Sequence, residues 1–199
     1  MTTDPIAEAL GIPTLDLAWQ ATTLAVPVTK WGSIARSAPM PGTYHFYTHD
    51  YKFSALLKHP FKLVDSGCRV AVEPNISTWP GKAVAEVLAE VCRKRTLARL
   101  WQRSGVRLLV DLNVEPEFRE VNLLGVPPGW ASYAVRCHRG VDWSTIETDH
   151  AAAVARAGGP VFLAVFGGGK AARARCEAAG WVHVPEHRHV VEGREAAHG

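Results

Sequence analysis

The sequence is short of the features that most readily assign a protein to a class. Its four cysteines, Cys68, Cys92, Cys137 and Cys176, lie far apart and form no C-x-x-C pair. That excludes a zinc ribbon and a redox dithiol, and reduced thiols in a cytoplasmic setting are the expectation. No apolar run reaches the ~18 residues that a membrane helix needs, so no membrane partner is expected. Met1 to Pro5 holds no basic stretch ahead of an apolar core, so no secretory leader is expected either. Charge of one sign is scarce as well. The formal net charge is +3 with the 9 His neutral, too weak by itself to imply nucleic acid. Repeats at a fixed period and low-complexity tracts are lacking, which leaves no solenoid or linker to explain.

What is there suits a globular core. Hydrophobic residues make up 47% of 199 residues, enough for one domain of ordinary size. We read 1–199 as a single domain with a weakly structured lead-in over 1–18 and a tail over 190–199. The organising stretch is Arg107-Leu108-Leu109-Val110-Asp111-Leu112-Asn113, an apolar run that gives out in Asp111 and Asn113. Five others follow the same plan: Tyr44 to Asp50, Val70 to Asn75, Tyr133 to His138, Val161 to Lys170 and Trp181 to His189. Most lead into a segment with helical spacing. Apolar runs that end in polar residues and feed helices are the pattern of a βα protein. The fold class expected is α/β, a mostly parallel sheet of five to seven strands. Helices on both faces of an open three-layer sheet are the first arrangement, and a short or incomplete βα barrel is the alternative.

Between the runs, a long helix is expected from about Pro80 to Ser104, capped by Ser77 or Thr78. Val84, Val87, Leu88, Val91, Ala98 and Trp101 form its inner face. Arg93, Lys94, Arg95, Arg99 and Arg103 fall mainly off that face. They read either as a solvated surface or as a track for a phosphate backbone. Ser144-Thr145-Ile146-Glu147 reads as a capping box ahead of an Ala-rich helix.

One combination of residues is more specific. His45-Phe46-Tyr47-x-x-Asp50-x-x-Phe53, Pro60, Glu73-Pro74-Asn75-x-Ser77, Arg93-Lys94-Arg95 and Trp101-Gln102 together resemble an uncharacterised family. Its members occur in bacteria, phages and other mobile elements and are described only as a domain of unknown function. The resemblance spans about Val26 to Phe166. Where the family pattern has Pro-Asp-Phe-Ser, this chain has Pro74-Asn75-Ile76-Ser77, an amide in place of a carboxylate. The resemblance implies a mobile-element setting and supplies no reaction, so chemistry must come from the residues.

The polar strand ends His45, Glu73, Asn75, Asp111, Asn113, Arg136 and His138 converge on one rim if the strands are parallel neighbours. Carboxylates with histidine at such a rim can hold a divalent metal and activate water, or act as general acid and base. Glu73, Asp111 and His138 are the catalytic candidates, and Glu73 and Asp111 the candidate metal ligands. The bland alternative is that they cap turns and pair locally. Gly167-Gly168-Gly169-Lys170 is the second constellation. Three glycines between strand and helix let backbone N–H groups face an anion, with Lys170 as counter-charge. It is neither a Walker nor a Rossmann fingerprint, and a tight turn explains it as well. Arg136, Asn75, Asn113 and His45 complete the substrate-contact candidates. His183, His187 and His189 have a spacing that permits metal binding but read better as surface histidines. Trp31, Trp79 and Trp130 read as an aromatic wall or as lids over the core. The expectation is an enzyme acting on a phosphorylated or nucleotide-type substrate at the strand-end rim. The alternatives are a nucleic-acid-binding accessory protein and a structural or interaction protein.

Overall fold

The computed structural model describes residues 4–32, 41–138 and 142–186. The tail over 190–199, His187, His189, Arg139, Gly140 and the loop residues Ser37 and Pro39 lie outside them. Seven strands form one parallel sheet in sequential order. They are β1 (Val28–Lys30), β2 (Gly42–His45), β3 (Cys68–Val72), β4 (Arg107–Asp111), β5 (Ser132–Cys137), β6 (Phe162–Gly167) and β7 (Val182–Val184). The helices are α1 (Pro5–Ala9), α2 (Ala55–Lys58), α3 (Lys62–Asp65), α4 (Val84–Arg103), α5 (Arg119–Asn122), α6 (Trp143–Ala157) and α7 (Gly169–Ala179).

The expected α/β class and parallel sheet are present. The strand order decides between the two arrangements. Parallel crossovers are right-handed, so a sequential order places every connection on the same face. Side-chain packing agrees. Leu56, Leu63, Leu97, Trp101, Ile146 and Cys176, all from helices, join one core with the outward residues of the strands. The other face carries Val70, Val72, Leu109, Ala134, Ala164, Phe166 and Val184 with no helix residue among them. Helices therefore do not cover both faces, and the sheet curls into a half-barrel. The curl has a direct measure. Strands β2 and β6 would stand about 19 Å apart in a flat sheet, four spacings of ~4.8 Å. Yet the rings of His45 and Phe166, one from the end of each, are 4.7 Å apart across the concave face.

The half-barrel is closed at its N-terminal opening. The Ala21 N–H donates to the Leu108 carbonyl (2.9 Å), and Gln20 accepts the Ala131 N–H (2.8 Å). Ala21, Leu24, Ala25 and Val28 fill the concave face from below. The C-terminal ends of the strands form the opposite mouth.

Local structure departs from expectation at two helix starts. The long helix begins at Val84, which is 53% exposed, so Val84 is not on its inner face. Ser77 does not cap that helix. Its N–H and hydroxyl both donate to Asp50, at 3.2 and 3.1 Å. This contact joins the two halves of the family-like motif in space. Helix α6 is capped by Asp142, which accepts the Ser144 N–H at 2.9 Å, rather than by Ser144 itself. Trp101 is wholly buried, stacked on Phe46 and donating its indole N–H to the Pro60 carbonyl at 2.9 Å.

Candidate functional site

Strand alternation selects which side chains reach the concave face. In β2 and its extension, Tyr44 and Phe46 join the helix-face core, while His45 and Tyr47 turn inward. In β4, Leu108 and Val110 face the helices, while Leu109 and Asp111 face inward. In β5, Ala134 and Arg136 share the inner parity, and in β6 Ala164 and Phe166 do. The topmost inner layer thus holds His45, Tyr47, Asp111, Arg136 and Phe166. Tyr47 and Phe166 touch at 5.1 Å, and His45 and Tyr47 at 5.5 Å. Lys30 stands in register with His45 on the neighbouring strand.

Asp111 is the centre of this layer and is wholly buried. One carboxylate oxygen accepts the Tyr47 hydroxyl at 2.9 Å and the Asn113 N–H at 3.2 Å. The Asn75 amide nitrogen, in the orientation that the network favours, donates to the other oxygen at 3.2 Å. No described ion pair neutralises Asp111. Burial raises its carboxyl from 3.8 to about 7, against the pull of Lys94 and of these donors. Burial also pushes the Tyr47 phenol well above its usual range, with the Asp111 charge adding to it, so the phenol stays neutral and donates. His45 is held down to about 3 by burial first and then by the positive charges of Lys30 and Arg136. Its Nδ1 is buried and finds no hydrogen-bond partner.

Glu73 takes a different route. Val72 pairs with Leu109, so the next residue aligns with Val110 and points to the helices. There it meets Arg95 in an ion pair sealed from solvent, in contact but without the alignment of a hydrogen bond. Arg95 also donates to the Leu124 carbonyl at 2.9 Å and to the Asn122 carbonyl. The Asn122 amide in turn donates to the Asp111 carbonyl at 2.9 Å and accepts the ammonium of Lys94. Burial pushes that ammonium below its usual range. Glu73 and Asp111, the two candidate metal ligands, therefore lie on opposite faces of the sheet. Among the described residues no three His, Cys, Asp or Glu side chains group as ligands for a metal.

The remaining candidates divide. Asn75 and Asn113 stand with Asp111 at the mouth. His138 follows β5 and is exposed on the same rim. Gly167, Gly168 and Gly169 all have positive φ, and close packing accounts for two of them. A Cβ at Gly168 would stand 2.4 Å from the Cys137 sulfur, and one at Gly167 would stand 2.6 Å from the Cys137 carbonyl. Lys170 is exposed beyond the turn. The expected basic face of the long helix loses two members, because Lys94 is 3% and Arg95 0% exposed. Trp130 is a core residue, Trp31 packs on the helix-face core, and Trp79 is exposed under the Lys82 ammonium.

Tyr47, Lys94 and Lys30 are not among the strand-end candidates. Period two already pairs Tyr47 with His45. Lys94 lies at helical spacing among Val87, Val91, Ala98 and Trp101, and a charge on an apolar stripe is the signal of a buried partner.

Residues 4–139 match the model of a family described as a domain of unknown function, DUF4417, and the chain belongs to that family. The match takes in β1 to β5 and so His45, Tyr47, Asn75, Asp111, Asn113 and Arg136. It ends before α6, β6 and the glycine turn. No curated protein and no solved structure matches the chain. Among the described residues no helix is long and apolar enough to cross a membrane.

Proposed function

We propose that the protein is an enzyme acting on a small phosphorylated or nucleotide-type substrate at the C-terminal mouth of the half-barrel. The observation that carries this reading is Asp111. It is a wholly buried carboxyl at the end of a central strand, held by three neutral donors and raised to about 7. Such a group is poised to exchange a proton near neutral pH, and strongly perturbed carboxyls concentrate at reactive sites. Tyr47 donates its hydroxyl to Asp111 and ties that carboxyl to the aromatic layer of His45 and Phe166. Asn75 and Asn113 orient the carboxyl, and His138 on the rim is a second proton carrier. Barrels of this kind place their chemistry at the C-terminal ends of the strands, an analogy of fold that agrees with this placement.

The setting we propose is a phage or other mobile element and the cytoplasm, on the family-like motifs around His45 and Pro74 and on the free thiols of Cys68, Cys92, Cys137 and Cys176. The genes beside family members test that setting. The activity is tested by assaying phosphorylated metabolites and nucleotides against their dephosphorylated counterparts. Turnover of a phosphorylated compound is expected, and Asp111→Asn should lower it by about a hundredfold or more while the protein stays folded. Full activity in Asp111→Asn, or turnover that ignores the phosphoryl group, contradicts the reading.

A further inference from the structure

We infer that Arg136 and His45, with Lys30 beside them, form the seat for one phosphoryl group on the concave face. The inference rests on the reading of the mouth as the substrate site and adds the residues that hold the anion. It also moves that seat away from the glycine turn.

Other arginines drawn in from the surface are balanced by acids. Arg95 pairs with Glu73, Arg99 with Asp16, Arg119 with Asp149 and Arg156 with Asp4. Arg136 is partly buried on the inner face of β5, and among the described residues it makes no ion pair and no hydrogen bond. None of its nitrogens is among the sealed, unpartnered polar atoms, so the guanidinium reaches water. A guanidinium that is unpaired and open to solvent there can take up the counter-charge of a ligand. His45 stands beside it with a neutral ring whose Nδ1 is sealed and unpartnered.

Register and ring contacts bring these groups to one place. Lys30 is in register with His45. The His45 ring touches Phe166 at 4.7 Å, and Phe166 is in register with Arg136. The circle Lys30, His45, Phe166, Arg136 closes around the mouth above the apolar layer of Ala134 and Ala164. Carboxyls near Arg136 do not neutralise it. Asp111 is engaged by three donors and holds a proton over part of the neutral range. Glu186 is exposed and sits by Gly167 at the end of β6. A guanidinium offers parallel N–H donors that match two oxygens of a phosphoryl group. The neutral imidazole adds its other ring nitrogen, Nε2, which is not among the sealed atoms, and Phe166 forms an apolar floor.

The test uses the full chain and inorganic phosphate, followed by calorimetry at fixed ionic strength with chloride as the control. Phosphate should bind, and Arg136→Met should weaken it by about ten- to a hundredfold, the loss of a charged bidentate contact. Arg136→Lys keeps the charge without the fork and should still weaken binding, which serves if Arg136→Met does not fold. Lys170→Ala should leave phosphate binding within about twofold, since Lys170 is exposed beyond the glycine turn and outside the seat. Binding that survives both Arg136 variants overturns the inference, as does the lack of any binding at tens of millimolar phosphate. Acetate binding as tightly as phosphate also overturns it, because the seat would then be one for a carboxylate. Phosphate binding that needs Arg136, with no compound turned over, sustains the seat and removes the enzyme reading. Turnover with a KM untouched by Arg136→Met does the reverse.

Discussion

On the helix face of the sheet Glu73 meets Arg95, and both are sealed from water. On the concave face Asp111 meets three neutral donors, and Arg136 meets no partner among the described residues. The two acids stand one strand apart, each at the end of an apolar run. What separates them is register. Val72 opposite Leu109 puts Glu73 on the side of Val110 and leaves Asp111 on the side of Leu109. One face joins its charges in an ion pair within the fold. The other leaves Asp111 and Arg136 without an ion pair among the described residues.

The comparison is broken most severely by removing a charge from the helix face. Arg95→Met strands Glu73 in the core and should cost about 3–5 kcal/mol. Adding Glu73→Gln to it should recover part of that loss, read by chemical denaturation. A cost below about 1 kcal/mol would mean that the pair is solvated after all. Trp101→Ala tests the same face without charge. It deletes a wholly buried ring stacked on Phe46 and should also cost about 3–5 kcal/mol.

At the seam of the two faces, Gly168→Ala should cost about 1–3 kcal/mol, because its Cβ meets the Cys137 sulfur and the Ala172 side chain. A bulky valine there is expected to unfold the protein rather than to act only on a ligand.

The concave face answers to pH, and its two groups act in opposite senses. The Asp111 carboxyl rises from 3.8 to about 7 on folding. The folded chain then holds a proton that the unfolded chain has released. Its contribution to stability is full below about 4 and is lost as the pH climbs through 7. His45 falls from 6.5 to about 3. Its contribution is full above about 6.5 and is lost as the pH drops toward 3. Asp111→Asn should therefore flatten the loss of stability on the neutral side, and His45→Asn the loss on the acid side. Equal pH profiles for the wild type and both variants would remove the electrostatic half of the account. The smallest effect belongs to Arg136→Met, expected to change stability by no more than about 0.5 kcal/mol while phosphate binding falls.

Six of the seven strands were plain in the sequence as apolar runs that end in polar residues, and the parallel arrangement follows from the helices between them; β1, Val28–Lys30, lies outside those runs. Strand order was not plain, since a run such as Phe162–Gly167 carries no mark of its neighbour. With the order hidden, a flat sheet covered on both sides and a half-barrel covered on one read alike. The candidate site was legible in its residues and illegible in its sides. His45, Asn75, Asp111, Asn113 and Arg136 were marked by their positions after apolar runs. That Glu73 turns away from them depends on register, which no single strand contains. Lys94 was legible and passed over. Its spacing from Val91 and Ala98 fits the buried stripe better than the surface to which its charge assigned it.

The most direct test is the titration of the Asp111 carboxyl itself, followed by carbon-13 NMR with Asp111→Asn to assign the signal. A midpoint near 7 is the result expected of a carboxyl buried on the concave face without an ion pair. A midpoint close to the ordinary 3.8 would show a solvated or ion-paired group, and the concave face would then be no more reactive than the helix face.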